Sequence, residues 1–461
     1  MPDMLPQLVA QAPDTRAIVI GGGIAGLATA QVLAAHFAHV VLIDRDHFPA
    51  GPQPRKGAPQ ARHIHVVLAR GQRILFERFP DLEAHLQAAG AVPLDWVADA
   101  LVYTIAGYVP RFPSNLHGYS ITRDGLEHAI RSCVYRLPNV HLLEGYDVVG
   151  LTAHPDGRTI SGVQMQQRSS DRTPQTLHAA LTVDASGRSS RPGERLGAYG
   201  YPAAHETIVN SFFGYASAMF RPAAIAMPPA KLLLTRGAPP ITRGAVMLAV
   251  ENNQWQITLG GAARDHPPTD PAGFLDFAAS LAMPQIAAIL RQGEFVGPIA
   301  GYRRMENRMR HYERMPRWPD GFATLGDAVC AFNPVYGQGI TTAAIGAEVL
   351  DHVLRDARRH GTIAAATGRF QRMLAESYQT PWLMATSEDY RFAMTEGGRR
   401  NWQTRLAHWY FDQVAICAAA HPDIYQTFFE VTHLLQPPSA LLHPAVAWRA
   451  LTHRRHARHS R

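Results

Sequence analysis

Cysteine is scarce in this chain: three in 461 residues, Cys133, Cys330 and Cys417, at spacings that form no pair. Neither a disulfide framework nor a metal site is expected from them. Long hydrophobic runs are missing too; no stretch reaches the roughly 18 consecutive apolar residues that a membrane span needs. Met1 to Thr15 carries no basic segment ahead of an apolar core, so no secretory signal is read there and the protein is expected in the cytoplasm. Internal repeats and low-complexity tracts are absent. A formal net charge of +7 could suit nucleic acid, but no nucleic-acid motif accompanies it and no such partner is expected. Much of the charge sits at the end, where Arg449, Arg454, Arg455, Arg458 and Arg461 mix with His453, His456 and His459; this reads as a solvated basic tail. What remains is globular material, 46% hydrophobic and 18% charged, in a chain long enough for two or three lobes.

The most organised stretch lies near the start. Ala17-Ile18-Val19-Ile20 reads as a buried strand and runs straight into Gly21-x-Gly23-x-x-Gly26. A helical run, Leu27 to Phe37, follows, and then a second strand, Val40 to Ile43, which ends on Asp44. Each part has a physical job. Gly21 permits a tight turn, Gly23 lets the backbone approach a pyrophosphate, and Gly26 lets helix and strand pack closely. Ile24 and Ala25 lie where the opening turn offers bare N–H groups and a positive dipole end to phosphate. Asp44 can accept hydrogen bonds from a ribose, and Arg45 beside it can stack on an adenine edge. Strand, glycines, helix, strand and acid in this order point to a dinucleotide.

A Pro/Gly-rich basic loop, Phe48 to Arg62, contains Arg55 and leads through His63-Ile64-His65 into a helical run, Val66 to Phe79. A helix from Arg123 to Tyr135 and a strand from Val140 to Leu143 should extend the parallel sheet. From Val149 the apolar period becomes two: Val163, Met165 and Leu177 mark a hairpin with a polar connection, Ser169 to Pro174. A strand then ends in Asp184-Ala185-Ser186-Gly187-Arg188. Residues 195 to 315 read as antiparallel sheet, with the clearest hairpin at Val246–Val250 and Trp255–Leu259. Phe322 to Leu325 again looks like core parallel strand and runs into Gly326-Asp327 and a loop ending Pro334-x-x-Gly337-x-Gly339. A helix, Thr341 to Arg355, follows, and helical sequence continues to Trp448. The expected class is α/β. A Rossmann-like dinucleotide-binding domain (15–195 and 316–365) is interrupted by an antiparallel substrate domain (196–315). A helical region (366–452) and a basic tail (453–461) follow.

The three glycine segments, in this order and spacing over about the first 355 residues, resemble the fingerprints of class A flavoprotein monooxygenases. Arg55 to His65 followed by Gly71, and Cys330 to Gly339, are similar to a narrower group: bacterial FAD-dependent epoxidases and hydroxylases of polyether-type polyketides, distant relatives of squalene epoxidase. The stretch from Asp412 to Leu451 resembles theirs as well. Ala185 departs from the pattern, standing where many relatives have glycine.

The resemblance implies a non-covalent FAD whose ADP half sits on the first motif and whose pyrophosphate lies near the Asp184 turn. Asp327 would bond the ribityl chain, and Pro334, Gly337, Gln338, Gly339 and Ile340 would lie against the isoalloxazine ring. Reduced flavin would add O2 to form a C4a-hydroperoxide that oxidises an electron-rich, lipophilic substrate. The single dinucleotide motif leaves two electron sources open, transient NAD(P)H docking or a separate flavin reductase. His63 and His65 resemble a pair at the flavin edge that tunes this chemistry; capping of the following helix is the alternative. Arg55 and Arg123 resemble cations near the phosphates or the ring, with surface salt bridges as the alternative.

Three rivals share the fold or the cofactor. A flavin-dependent halogenase should carry Trp-x-Trp-x-Ile-Pro, which this sequence lacks. A prenyl-chain reductase would use the same reduced flavin without oxygen, and a non-catalytic flavoprotein would use FAD only as ballast. From Gln413 onward apolar and aromatic residues recur, either as helices that close a substrate cavity or as a face that rests weakly on an anionic bilayer.

Overall fold

The computed structural model describes residues 4–168, 173–223, 227–360, 362–398 and 401–453. At its centre lies a five-stranded parallel sheet: β1 (Arg16–Ile20), β2 (His39–Asp44), β3 (Val140–Glu144), β4 (Leu181–Asp184) and β5 (Phe322–Thr324). Their spatial order is β5-β4-β1-β2-β3. The inner strands are near-continuous apolar runs because both faces are covered. Alternation decides which side chain meets which layer. Ala17, Val19, Val40 and Leu42 pack on helices, whereas Ile18, Ile20, Val41 and Ile43 pack on a three-stranded antiparallel sheet (Tyr146–Ala153, Ile160–Gln167, Gln175–His178). The helical layer is α1 (Ile24–Ala34), α2 (Ala69–Arg78), α3 (Arg123–Val134), α4 (Gly339–His360) and α5 (Thr367–Asp389).

Two helices start elsewhere than the sequence pattern suggests. α1 begins at Ile24 because Leu27 N–H already closes the first turn onto Gly23 O at 2.9 Å. α2 begins at Ala69, not Val66, because Leu68 N–H donates to Thr341 Oγ1 at 3.0 Å and holds Val66–Leu68 extended against the start of α4.

A seven-stranded sheet forms the second lobe, in the order Glu294–Tyr302, Gly214–Arg221, Gln254–Gly261, Arg243–Val250, Leu232–Thr235, Ala100–Thr104, Gly107–Tyr108. Its central hairpin turns through Asn252 and Asn253, both left-handed (φ 61° and 54°), a conformation asparagine tolerates. The sheet is not purely antiparallel and not confined to 196–315. Ala100–Thr104 joins it parallel to Leu232–Thr235. That segment is not among the strands expected from the sequence, and no local pattern names a partner more than a hundred residues away.

One face of this sheet (Leu233, Met247, Ile257) packs on the helices Pro271–Ala279 and Pro284–Leu290. The other face (Val102, Leu232, Leu248) shares a core with the C-terminal helices α6 (Trp402–Ala418), α7 (Pro422–Thr432) and α8 (Pro444–Thr452). No helix among the described residues is long and apolar enough to cross a membrane. Residues 169–172 of the expected polar connection, and the Arg/His tail from 454 onward, lie outside the described residues.

Candidate active site

A cavity of about 2230 Å³ opens beyond the carboxyl ends of β1 and β2 and is walled by both lobes and the C-terminal helices. Open α/β sheets bind ligands at this place, where crossovers from neighbouring strands diverge. Pockets for single drug-sized ligands span about 300–1,000 Å³. This cavity has room for more than one.

The first glycine loop forms one end. Gly21 has φ +98°, and a Cβ there would meet Ala185 O at 2.8 Å; a Cβ on Gly26 would lie 1.7 Å from Gly21 O. Gly26 therefore sits in the strand–helix contact, away from the cavity wall. Gly23, Ile24 and Ala25 line the cavity, and only Arg55 Nη2, at 3.9 Å, comes within 4 Å of a Cβ built on Gly23. α1 has no side-chain cap, so the N–H groups of its first turn face this cradle. Asp44 accepts from Gly22 N–H at 2.6 Å and Asp46 N–H at 2.8 Å, which fixes its carboxylate on the wall. Arg45 is exposed beside it and lines the same opening.

Arg123 is buried and Arg55 is half-buried with its side chain only 9% exposed, so neither is a free surface cation. Arg55 Nε lies 2.7 Å from Glu127 Oε1 and Arg55 Nη1 3.0 Å from Asp46; Arg123 Nη1 lies 2.7 Å from Glu127 Oε2. Burial works to lower the pKa of Arg55, but Glu127 and Asp44 together raise it above its ordinary value. Both arginines line the cavity. Glu127, the hub of this cluster, was not anticipated, although Arg123, Glu127 and Arg131 fall four apart on α3 and mark a charged stripe on an amphipathic helix.

Asp184 behaves differently from the other expected residues. It is fully buried and absent from the cavity wall; its carboxylate accepts from Ser186 N–H (2.9 Å), Ser186 Oγ (2.6 Å) and Ser190 Oγ (2.6 Å). It shapes its own turn, so that Ala185 to Arg188 face the cavity in its place.

The third segment forms the far wall, where Asp327, Pro334, Gly337, Gln338, Gly339 and Ile340 all line the cavity. Burial pushes the Asp327 carboxyl above its ordinary value against the pull of Arg188, Arg123 and Arg310. A Cβ on Gly339 would lie 3.9 Å from Asp327 Oδ1, and one on Gly337 would collide with Val66. Gln338 Oε1 is buried without a hydrogen-bond partner among the described residues. α5 anchors this loop: Asp389 accepts from Tyr336 Oη (2.6 Å), Asn333 Nδ2 (3.1 Å) and Asn307 Nδ2 (2.7 Å). Burial pushes the Asp389 carboxyl up to about 6, against the hydrogen bond from Tyr336. The sequence carries no local sign of this carboxylate, which is distant in the chain from everything it holds.

His63 and His65 both face the cavity. His63 Nδ1 pairs with Ser217 Oγ at 2.8 Å, which continues to Thr258 Oγ1 at 2.7 Å, and its ring packs beside Tyr215 and Tyr302. His65 Nδ1 bonds His63 O at 2.9 Å. Neither histidine caps α2; that N-cap position is Leu68. Burial and then Arg62 push His63 down to about 4, and burial and then Arg123 push His65 down to about 3, so both rings are neutral at pH 7. Part of the remaining wall is apolar, with Val102, Leu232, Leu234 and Val246 of the large sheet and Phe411, Tyr425 and Phe429 of α6 and α7, while charged side chains such as Arg236, Arg304, Glu388 and Arg391 line other parts.

The open glycine cradle, the uncapped α1, the orphaned Gln338 oxygen and the inward-facing arginines suit a dinucleotide with a polar ring system, and FAD fits them. Comparison with known proteins agrees. The chain is 30% identical over 453 residues, 96% of its own length and 94% of the relative's, to Protein Rv3254 of Mycobacterium tuberculosis. Among solved structures it resembles PqsL, a probable FAD-dependent monooxygenase from Pseudomonas aeruginosa (TM-score 0.62, 17% identity, 82% of this chain and 98% of that one). It also resembles the flavin-dependent brominase Bmp2 (TM-score 0.66, 12% identity, 91% and 94%). At these identities the two structures establish the shared fold. Residues 14–359 match the family described as the FAD binding domain, and the chain belongs to that family.

Proposed function

We propose that the protein is an FAD-dependent monooxygenase that epoxidises or hydroxylates an electron-rich, lipophilic small molecule. One observation carries the reading: the dinucleotide cradle and an apolar chamber are walls of the same cavity. The Gly337–Gly339 segment touches both parts, facing Asp327 on one side and Val66 on the other.

Bound and reduced, the flavin supplies activation of O2 for transfer of one oxygen atom. The protein's own residues do the rest. The N–H groups of Gly23 to Ala25 and the Arg55 guanidinium hold the pyrophosphate, while Asp44 and Arg45 receive the adenosine end. Asp327 accepts from the ribityl hydroxyls. The N–H groups at the start of α4, with its dipole, favour negative charge on the ring. His63, neutral and held by Ser217, offers a hydrogen bond at the ring edge without adding charge. The aromatic and aliphatic wall orients the substrate and keeps water out. Electrons come from NAD(P)H docked in the cleft or from a separate flavin reductase.

The test begins with purified protein, which should be yellow and release one FAD per chain on denaturation. It is then supplied with NADH, NADPH or a flavin reductase under 18O2, with a panel of lipophilic alkenes and arenes that includes polyketide-like polyenes. A product carrying one 18O supports the proposal. Saturation of an alkene under argon would instead show a reductase, and a flavin inert to both reductant and O2 a non-catalytic flavoprotein.

A further inference from the structure

Away from the cavity, the fold gathers three metal-binding side chains from the C-terminal helices. Cys417 lies in the last turn of α6, His421 at the N-cap of α7 and His453 just past the end of α8. Their ligand atoms all lie within 4.8 Å of one another, with the thiol buried and both imidazoles half-buried. The two rings meet edge to face at 5.6 Å, and neither has a hydrogen-bond partner among the described residues.

We propose that Cys417, His421 and His453 bind a Zn2+ ion that staples α8 onto the α6–α7 turn. The donor set selects the ion. One thiolate and two imidazole nitrogens suit Zn2+, which takes N and S ligands tetrahedrally, and do not suit Mg2+ or Ca2+, which take oxygen. Tetrahedral bonds of about 2.3 Å to sulfur and about 2.0 Å to nitrogen place ligand atoms roughly 3.3–3.6 Å apart. The observed cluster, with its ligand atoms within 4.8 Å of one another, would have to close to that spacing on binding. Three protein ligands leave the fourth position to water. Binding displaces the thiol proton to solvent and changes no oxidation state.

The sequence gives no paired-cysteine signal here, because only Cys417 and His421 are close in the chain and the third ligand arrives with α8. The consequence is mechanical. Besides apolar packing through Val446 and Ala450, α8 is tied down among the described residues by one exposed ion pair, Arg449–Asp423 at 2.6 Å. A metal bridge would hold the terminal helix against the lobe that carries the cavity's apolar wall.

The experiment uses untagged, full-length, FAD-loaded protein stripped with a chelator and titrated with Zn2+ against a chromophoric competitor. Co2+ follows as a spectroscopic probe, read at wavelengths beyond the flavin bands. The expected result is one equivalent bound and a tetrahedral, thiolate-ligated Co2+ spectrum. Cys417→Ser, His421→Ala and His453→Ala should each lower affinity by at least about tenfold, with flavin content unchanged. His453→Ala, at the end of the described chain, guards against a folding defect at the buried cysteine. A His456→Ala/His459→Ala double variant should bind as the parent does. No binding at micromolar Zn2+, or loss in the tail variant with the three single variants unaffected, overturns the proposal.

Discussion

Removing the Asp389 carboxylate should weaken FAD binding far more than it weakens the fold. In Asp389→Ala two fully buried amide donors, Asn307 Nδ2 and Asn333 Nδ2, lose their acceptor, at about 1–3 kcal/mol each. Tyr336 is half-buried beside the cavity and can turn to water, so its loss counts for little. Against this, alanine removes a buried charge. A carboxyl raised from 3.8 to about 6 carries a burial penalty of about 3 kcal/mol at neutral pH. The two effects nearly cancel in the FAD-free protein, whose melting temperature should move by only a few degrees. The loop from Asn333 to Gly339 has nonetheless lost its tether. Ordering even two of its residues again on binding costs about 2–4 kcal/mol, so the Kd for FAD should rise roughly 30- to 1,000-fold. Flavin-fluorescence titration of apoprotein measures this directly, and scanning fluorimetry of the same samples supplies the stability arm. Asp389→Asn keeps one acceptor without the charge and should retain most of the affinity. If Asp389→Ala binds FAD within about threefold of the parent, the loop is not held by this carboxylate and the reasoning fails.

Asp327→Ala should cost a charge-assisted hydrogen bond of about 1.5–3 kcal/mol in FAD affinity, and Gly339→Leu should prevent retention, since its side chain would project beside Asp327 into the cavity. Parent-like flavin content after purification of either variant would show the third segment to be misassigned. Stability should fall in acid. His63 and His433, both buried and both pushed from 6.5 to about 4, stay neutral in the fold while the unfolded chain takes up protons. Their contribution, up to about 3 kcal/mol each, is complete above pH 6.5 and lost as pH falls towards 4. Asp389 has the opposite sign below about 6 and offsets about half of it, so urea midpoints should decline steadily from pH 6.5 towards about pH 4.5. Constant midpoints from pH 7 to 5 would contradict the burial of these rings. On anionic liposomes the protein should sediment weakly at low salt and not at physiological salt; the outward residues Trp402, Leu406 and Trp409 are 51–65% exposed, yet the opposite side of α6 is already packed. Firm pelleting at the higher salt would favour a membrane-resting enzyme.

What was legible in the chain was local. Ile20-Gly21-Gly22-Gly23, the strand before it and Asp44 after it form one supersecondary unit, and each residue's role follows from its neighbours. Parallel strands could be recognised by their unbroken apolar runs, and the hairpin around Asn252-Asn253 by alternation and turn chemistry. Contacts across the chain were not legible. Ala100–Thr104 is not among the strands expected from the sequence, and its parallel partner Leu232–Thr235 lies more than a hundred residues away. Asp184 sits in a motif, yet its side chain turns inward to Ser186 and Ser190, a choice made by one turn's geometry and not by residue type.

The same division explains why the cofactor end of the cavity could be read and the substrate end could not. Phosphate and ribose recognition needs backbone N–H groups and single charged side chains at fixed offsets, so it leaves a spaced signature. An apolar chamber needs only area. Val102, Leu234, Phe411 and Phe429 come from four separate segments, and any of them could be another aliphatic or aromatic residue without changing the pattern of its own element. Substrate identity therefore resides in the shape made where the large sheet meets α6 and α7. Substitutions there should redirect which molecule is accepted while leaving the flavin in place; substitutions at Gly23, Arg55 or Gly339 should do the reverse.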